Sequence, residues 1–208
     1  RRRPPPQPPS ARAAAPYRAV WVSYLEWEQV DFSSAEAFTQ AIGTMLDNIQ
    51  SIGATVVLAQ VRPFGDALYP SDCFPFSHLC TGTQGQDPGF DPLALLVDAA
   101  HARDLQLEPG QPLPHPGRAD PGAVRRKPGA AAPGLGQVHR HRRVSRPRQR
   151  DVRQYIADGV GELCARYAVD GIHFDDYFYP TTDPAFDAAD YAASGSTRTQ
   201  DDWRRENV

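Results

Sequence analysis

Strand patterns and helix patterns alternate along this chain outside two proline-rich segments. Stretches rich in β-branched and aromatic residues indicate four strands, at residues 19–27, 55–66, 105–108 and 171–180. Stretches with apolar residues at helical spacing separate them: one is capped by Ser33 or Ser34, one by Asp91, and one spans residues 152–167. This order predicts βαβ units on a parallel sheet, which places the chain in the α/β class.

The strand ends decide between two parallel architectures, the open doubly wound sheet and the (β/α)8 TIM-type barrel. A nucleotide-binding doubly wound sheet would carry a glycine-rich phosphate loop, whereas the first strand here ends in YLEW and the second in RPFGD. Polar and aromatic residues at the strand carboxyl ends are typical of barrel enzymes, whose chemistry lies at that edge. The sequence favours a (β/α)8 barrel, of which about the first half is present.

Two segments differ from this pattern in composition. Residues 1–16 have no aliphatic residue larger than alanine, which predicts a disordered Pro/Arg-rich tail. Residues 109–150 contain eight prolines, six glycines and ten Lys or Arg, but no aromatic residue. We therefore expect one domain at residues 17–208, a partial barrel that the aberrant low-complexity segment 109–150 interrupts.

The genetic code offers an explanation for segment 109–150. Reverse translation of QPLPHPGRADPG and the following residues, read from the second base with permitted codons, gives NPYRIQAALTPA and continues through PDWV and EYLDPGN. The shifted string gains aromatic and acidic residues and runs directly into DVRQYIADG at Asp151. We interpret the segment as the product of a frameshift near Glu108 that is undone near Asp151. The alternative is a disordered basic insertion.

Charge is distributed unevenly, which bears on the partners of the folded part. Residues 13–108 and 151–208 hold eight basic residues against 24 acidic ones, with no lysine. This balance argues against nucleic acid, whose phosphates need a clustered basic surface, and suits a neutral or cationic substrate. The alternative, nucleic-acid binding through segment 109–150, predicts salt-sensitive DNA binding that disappears when the segment is deleted.

No apolar run approaches the length of a transmembrane segment, so we expect a soluble chain.

Several ordered strings carry a resemblance to a known family. They are RAVWVSYLEW, QVRPFGDALYPS, TGTQGQDPGFDPLALLVDAAHARDLQLE, VRQYIADGV, DGIHFDDYFYP and DWRRENV. With them the chain resembles glycosyl-hydrolase-like family 10, bacterial envelope and secreted proteins with (β/α)-barrel catalytic domains. Two departures stand out. The family's AW-x-NPYR strand survives only in the shifted frame, and family members continue past Val208 through the second half of the barrel.

The resemblance implies a secreted or envelope-attached bacterial glycoside hydrolase whose substrate is a polysaccharide, of the peptidoglycan type or related to it. The alternative from another class is a catalytically silent glycan-binding barrel, because family membership does not establish turnover. A barrel closes only when all eight strands pair, so the 208 residues alone are expected to be inactive. No cofactor and no metal ion is expected.

Glycoside hydrolysis needs two carboxyl groups, and the pair in FDDYFYP is the first candidate. Adjacent strand residues point to opposite faces, so Asp175 and Asp176 cannot both serve as acid and nucleophile. Alternation groups Asp175 with His173 and Tyr177 on a polar face. We predict Asp175 as the catalytic carboxylate, Asp176 as its support or alternate, and His173 and Tyr177 as substrate-binding residues. A helix cap for the aspartates and a structural role for His173 are the alternatives.

Four further residues at the ends of the first two strands are predicted to bind substrate. Arg62 could bind a sugar hydroxyl or a carboxylate, or it could form a structural ion pair with Asp66. Glu26, at the end of the first strand beside Tyr24 and Trp27, suits a sugar stacked on aromatic faces, although Trp27 could instead belong to the core.

Overall fold

A four-stranded parallel sheet forms the centre of the fold. The computed structural model describes residues 16–112, 136–139, 142–145, 150–175 and 181–206, and side chains within 16–110, 154–174 and 181–206. The strands of the sheet, in spatial order, are β1 (Ala19–Val22), β2 (Val56–Gln60), β3 (Gln106–Pro112) and β6 (His173–Asp175). All three pairings are parallel, which confirms the predicted parallel α/β sheet.

Helices connect these strands, as the alternating pattern predicted. Their bounds are α1 (Tyr24–Trp27), α2 (Ala35–Ser51), α3 (His78–Thr81), α4 (Pro92–His101), α5 (Arg150–Arg166), a 3₁₀ helix (Pro184–Phe186), α6 (Ala188–Ser194) and α7 (Gln200–Glu206). The Ser34 side chain accepts a hydrogen bond from the Ala37 amide at 3.1 Å, and the Asp91 carboxylate accepts one from the Ala94 amide at 3.1 Å. Both predicted caps, Asp91 and the Ser34 choice, are confirmed because each satisfies an amide at a helix start.

The hydrophobic core lies between one face of the sheet and helices α2 and α4. Alternate strand residues supply the sheet side of it: Val20, Val22, Val57, Ala59 and Leu107. The helices contribute buried residues at helical spacing: Phe38, Ile42, Leu46, Ile49, Leu93, Leu96, Val97 and Ala100. Because side chains alternate along a strand, Trp21, Glu108 and His173 fall on the opposite face, here called the inner face.

Helix α5 is held to the long loop between β2 and α4 by polar contacts. Its Glu162 carboxylate accepts hydrogen bonds from the Ser71 hydroxyl and, at 2.6 Å, from the Asp72 amide. The Tyr155 hydroxyl donates to the Cys73 carbonyl at 3.0 Å, farther along the same loop. The loop is thereby fixed between the helix and the sheet, although most of it has no regular secondary structure.

The segment 109–150 is described only in parts. Its first residues continue β3 as far as Pro112, and β4 (Gly136–His139) pairs antiparallel with β5 (Arg142–Ser145) in a separate two-stranded sheet. The rest of the segment, and residues 1–15 of the predicted tail, lie outside the described residues. The frameshift interpretation therefore stays a prediction.

The first strand is shorter than its composition suggested. β1 ends at Val22, and the chain turns at once into helix α1 because Ser23 and Glu26 form a capping box around its first turn. The prediction that Glu26 ends a strand is wrong for this reason.

Among the described residues, no helix combines the length and apolarity needed to cross a membrane.

Candidate active site

The carboxyl ends of the four parallel strands meet at one edge of the sheet. This edge carries α1 after β1, the turn after β2, and the ends of β3 and β6 at Pro112 and Asp175. In parallel sheets with helical crossovers, ligands bind outside the carboxyl ends of the strands.

Tyr24 and Glu26 both belong to α1 and have different surroundings. The half-buried Tyr24 ring lies 5.2 Å from the Phe64 ring, between centroids, and its backbone amide donates to Gln60 Oε1 at 2.8 Å. The exposed Glu26 carboxylate accepts hydrogen bonds from the Ser23 amide at 2.7 Å and its hydroxyl at 2.6 Å. These bonds, with the Ser23 hydroxyl first, lower the pKa of Glu26 below its ordinary value. Glu26 therefore acts as a helix cap.

Trp27 completes α1 from inside the core. Its side chain is 1% exposed, and its indole Nε1 donates to the Gln60 carbonyl at 2.9 Å. The alternative that Trp27 belongs to the core is confirmed. The aromatic partner of Tyr24 at this edge is Phe64.

Asp66 lies in the turn after β2 and is completely buried. Its Oδ1 accepts a hydrogen bond from the Phe64 amide at 3.2 Å, and its Oδ2 accepts one from Gln84 Nε2 at 3.1 Å. His78 Nδ1 lies 3.6 Å from the same Oδ2, and the His78 side chain is 37% exposed. The buried carboxylate thus holds the turn after β2 through these hydrogen bonds. The partly exposed His78 ring lies between this carboxylate and the solvent.

Arg62 points away from the strand edge, toward α5. Its side chain is 2% exposed, and its guanidinium carbon lies 3.3 Å from the centroid of the Phe74 ring. Gly159 of α5 provides the space for this arrangement, since a Cβ there would lie 3.2 Å from Arg62 Nη1. Burial lowers the pKa of the guanidinium, with opposing contributions that include Tyr69 and Asp66. This position favours a structural role for Arg62.

His173 lies on the inner face of the sheet. Its ring meets the Trp21 indole edge to face, with 5.1 Å between centroids. The Trp21 indole also covers Gly110, where a Cβ would stand only 2.8 Å from its Cη2 atom, so no larger residue fits at this position. His173 is therefore half-buried against an aromatic wall, two residues before the end of β6.

The other predicted residues of β6 are only partly described. Asp175 is the last residue of the strand, and its backbone is in register with Pro112 of β3. Its side chain is outside the described part of the chain, as are Asp176 and Tyr177 entirely. The roles predicted for these three residues stay predictions.

Sequence reasoning did not single out Glu108, Phe64 or His78. Glu108 lies on the inner face in register with Leu58, and its Oε2 accepts a hydrogen bond from the Tyr17 hydroxyl at 2.9 Å. It stands four residues before Pro112, or about 13 Å at roughly 3.3 Å per residue, which is too deep for the edge. Alternation in LQLE could have placed Glu108. No local pattern pairs Phe64 with His78.

No cluster of three or more His, Cys, Asp or Glu side chains that could hold a metal ion occurs within the described residues. The edge therefore presents aromatic faces, a histidine backed by a buried carboxylate, and the terminus of β6 at Asp175. Aromatic faces combined with a few oriented polar groups are typical of sites that bind small or sugar-like ligands.

The fold and this edge define a parallel α/β protein of the kind that binds ligands outside the carboxyl ends of its strands. Sequence comparison identifies the family: the model of Glycosyl hydrolase-like 10 matches residues 16–208, and the chain belongs to that family. The resemblance seen in the ordered strings is confirmed.

Two curated relatives extend the comparison. Glycosyl hydrolase YngK of Bacillus subtilis (strain 168) is 33% identical over 222 residues, which cover 96% of this chain and 41% of the relative. Glycosyl hydrolase DigH of Escherichia coli (strain K12) is 32% identical over 229 residues, which cover 97% of this chain and 52% of the relative. The chain thus spans about half the length of these relatives.

Proposed function

We propose that the protein containing this chain hydrolyses O-glycosyl bonds in a bacterial cell-envelope glycan, of the peptidoglycan type or a related polysaccharide. The observation that carries the proposal is membership of the Glycosyl hydrolase-like 10 family over residues 16–208. The proposed location is outside the cytoplasm, secreted or attached to the envelope, because such a polymer lies there.

The strand order supports a closed (β/α)8 barrel as the complete architecture. Doubly wound sheets reverse their strand order at a switch point, whereas the main sheet here runs β1, β2, β3, β6 in chain order. Helices α2 and α4 pack on the same face of the sheet, as the outer helices of a barrel do. The four strands of the sheet that the structure describes cannot close a barrel by themselves, so the 208-residue chain alone is proposed to be inactive.

Two carboxyl groups are needed for hydrolysis, one as acid and one as nucleophile or base. We assign one role to Asp175, at the end of β6, with Asp176 as its support. Glu26 and Asp66 are the acids of α1 and of the turn after β2, and hydrogen bonds already engage both carboxylates. The second carboxyl group is therefore proposed to come from outside the described residues.

The hydrogen bonds that engage the Glu26 and Asp66 carboxylates favour a second candidate function, a glycan-binding barrel without turnover. If Glu26 only caps α1 and Asp66 only holds the turn after β2, the edge can bind a sugar without cleaving it. Binding without bond cleavage is the outcome that separates this candidate from the hydrolase.

The test compares two proteins, the chain as it stands and a version with segment 109–150 in the shifted frame and the longer natural continuation. Release of new reducing ends is measured on purified peptidoglycan and on chitin oligosaccharides. The repaired protein should release them, and Asp175→Asn should lower the rate by about 10²–10⁴-fold.

The matched control is Asp98→Asn, an exposed aspartate on α4 in the outer layer, which should leave the rate unchanged. Binding with no new reducing ends, or an unaffected rate in Asp175→Asn, would favour the non-catalytic barrel. Hydrolysis by the unrepaired chain at the rate of the repaired one would overturn both the frameshift and the inactivity proposals.

A further inference from the structure

We propose that Tyr24, Phe64 and His78, together called the aromatic row, form a binding subsite for an uncharged pyranose unit, with Asp66 as the residue that positions His78. The inference rests on the proposed function, because it assumes that the ligand is a glycan. It replaces the earlier pairing of Tyr24 with Trp27 and Glu26, which the structure assigns to the core and to a helix cap.

The three rings contact one another in sequence, Tyr24 with Phe64 and Phe64 with His78, at the carboxyl edge. The Tyr24 and Phe64 centroids are 5.2 Å apart with 61° between their planes, and the Phe64 and His78 centroids are 5.1 Å apart with 42° between theirs. All three side chains are partly exposed rather than buried in the core. A sugar ring presents axial C–H bonds on one face, and these pack against the electron-rich faces of such rings.

Asp66 is buried next to the row and contacts two of its members. The buried carboxylate accepts from the Phe64 backbone amide and from Gln84, and it faces His78 Nδ1 at 3.6 Å. One carboxylate thus contacts two members of the row, Phe64 through a hydrogen bond from its backbone amide and His78 through an ion pair that forms when the imidazole is protonated. Rings fixed in advance lose little conformational freedom when a ligand binds, which improves affinity.

Charge selects the class of sugar. Glu26 lies at the same edge, and residues 13–108 and 151–208 hold 24 acidic residues against eight basic ones. In the repaired protein, whose segment 109–150 no longer carries ten Lys or Arg, this acidic field would repel polymers with a carboxylate on each unit. An uncharged pyranoside oligosaccharide fits the aromatic row, and a uronic-acid polymer does not.

The experiment measures binding by calorimetric titration, so it does not depend on turnover. Chitotetraose and cellotetraose serve as uncharged probes and tetragalacturonate as the charged one, each titrated into the 208-residue chain and into the repaired longer protein. At least one uncharged probe should bind, and Phe64→Ala should weaken it about tenfold, the equivalent of one stacking contact. Phe64→Tyr should restore the affinity, which shows that an aromatic face is what matters. The charged probe should bind more weakly than either uncharged one.

The matched control is Tyr17→Ala, an aromatic residue that is 60% exposed at the opposite, amino edge of the sheet. It should not change the affinity. The positioning role of Asp66 is tested by Asp66→Asn in two backgrounds. The asparagine oxygen can still accept from the Phe64 amide, so the substitution removes only the charge that faces His78. It should therefore weaken binding in the parent and have no further effect in His78→Ala, whereas a general structural defect would weaken both.

The outcomes separate this inference from the proposed function. Wild-type affinity in folded Phe64→Ala, an equal loss in Tyr17→Ala, or tightest binding of tetragalacturonate would overturn the subsite while leaving hydrolysis by the repaired protein intact. Tight, row-dependent binding with no new reducing ends would support the subsite and overturn the hydrolase proposal. Failure of every uncharged probe to bind either protein, with folding verified by circular dichroism, would overturn the subsite as well.

Discussion

The guanidinium of Arg62 lies over the ring of Phe74, with its central carbon 3.3 Å from the ring centroid. Both residues lie in the long loop between β2 and α4, whose two parts are also joined by an isolated β-bridge between Ala67 and Phe76. Arg62 is 2% exposed and Phe74 is 4% exposed. A cation held in this way is much less screened than one at the surface, which makes the pair a strong constraint on the loop.

A double-mutant cycle on Arg62 and Phe74 should give a coupling energy of about 2 kcal/mol, the size expected for a desolvated cation–π pair. The variants are Arg62→Met, Phe74→Leu and the double change, and the measured quantity is the free energy of unfolding in urea. Phe74→Leu removes the ring and leaves the guanidinium, whereas Arg62→Met removes the guanidinium and leaves the ring. A coupling energy indistinguishable from zero would show that the contact is incidental.

Two glycines of α5 should respond in opposite directions to the same substitution. A Cβ at Gly159 would stand 2.6 Å from Phe74 Cε2, whereas a Cβ at Gly161 would meet nothing within 4 Å. Alanine is the better helix former by roughly 1 kcal/mol, so Gly161→Ala should stabilise the protein by up to about that amount. Gly159→Ala should instead destabilise it by about 1–3 kcal/mol through overpacking against Phe74. Thermal unfolding of the two variants side by side checks the prediction, which equal shifts would contradict.

Much of the fold could be predicted because its signals are local. Ser34 and Asp91 lie within three residues of the amides that they cap, and the apolar residues of α2 recur at helical spacing. The same kind of local signal was present for α1, where Ser23 and Glu26 have the spacing of a capping box. The strand-like composition of AVWVSYLEW concealed it, because the signal lies in two residues of nine.

The candidate site could be predicted less well because its contacts are not local. Fourteen positions separate Phe64 from His78, and twelve separate Arg62 from Phe74. Only the fold of the loop after β2 brings each pair together, and neither pair has a spacing that marks a motif. The strand-end rule placed Tyr24 and Asp66 near this edge, where their binding roles stay predictions, but it could not tell that Arg62 turns toward α5.

Glu26 should prove to be a cap residue and not a sugar ligand. Glu26→Gln keeps an acceptor for the Ser23 amide and should change the free energy of unfolding by less than about 0.5 kcal/mol, whereas Glu26→Ala should cost about 1 kcal/mol. Neither variant should alter the affinity for chitotetraose. Because the folded-state pKa of Glu26 is lowered, its contribution is present above the unfolded pKa and lost as the pH falls through the folded one. A large loss of glycan affinity in both variants would restore the substrate-binding role.

The carboxyl-terminal helices depend on one buried ion pair. Arg204 Nη2 donates to Asp187 Oδ1 at 2.6 Å and Nε donates to Oδ2 at 3.0 Å, and the two residues are 8% and 6% exposed. Burial alone would raise the pKa of Asp187, but the hydrogen bonds from Arg204 and Gln200 outweigh it and lower the pKa below its ordinary value. The pair therefore stabilises this part of the chain as long as Asp187 is ionised.

The stability of residues 187–206 should fall in acid with a predictable sign. A depressed folded-state pKa gives stability that is complete above the unfolded value, about 3.9 for aspartate, and is lost as the pH drops through the folded value. The protection factors of the amides in this region should accordingly be constant above about pH 5 and fall below about pH 4. Asp187→Asn should cost about 3 kcal/mol at neutral pH, because it leaves the Arg204 guanidinium buried without its counter-charge.

The control is Asp202→Asn, which removes an exposed partner of Arg205 at 2.5 Å and should cost less than about 1 kcal/mol. Similar protection losses in the two variants would show that burial of the Asp187–Arg204 pair does not set the stability of these helices.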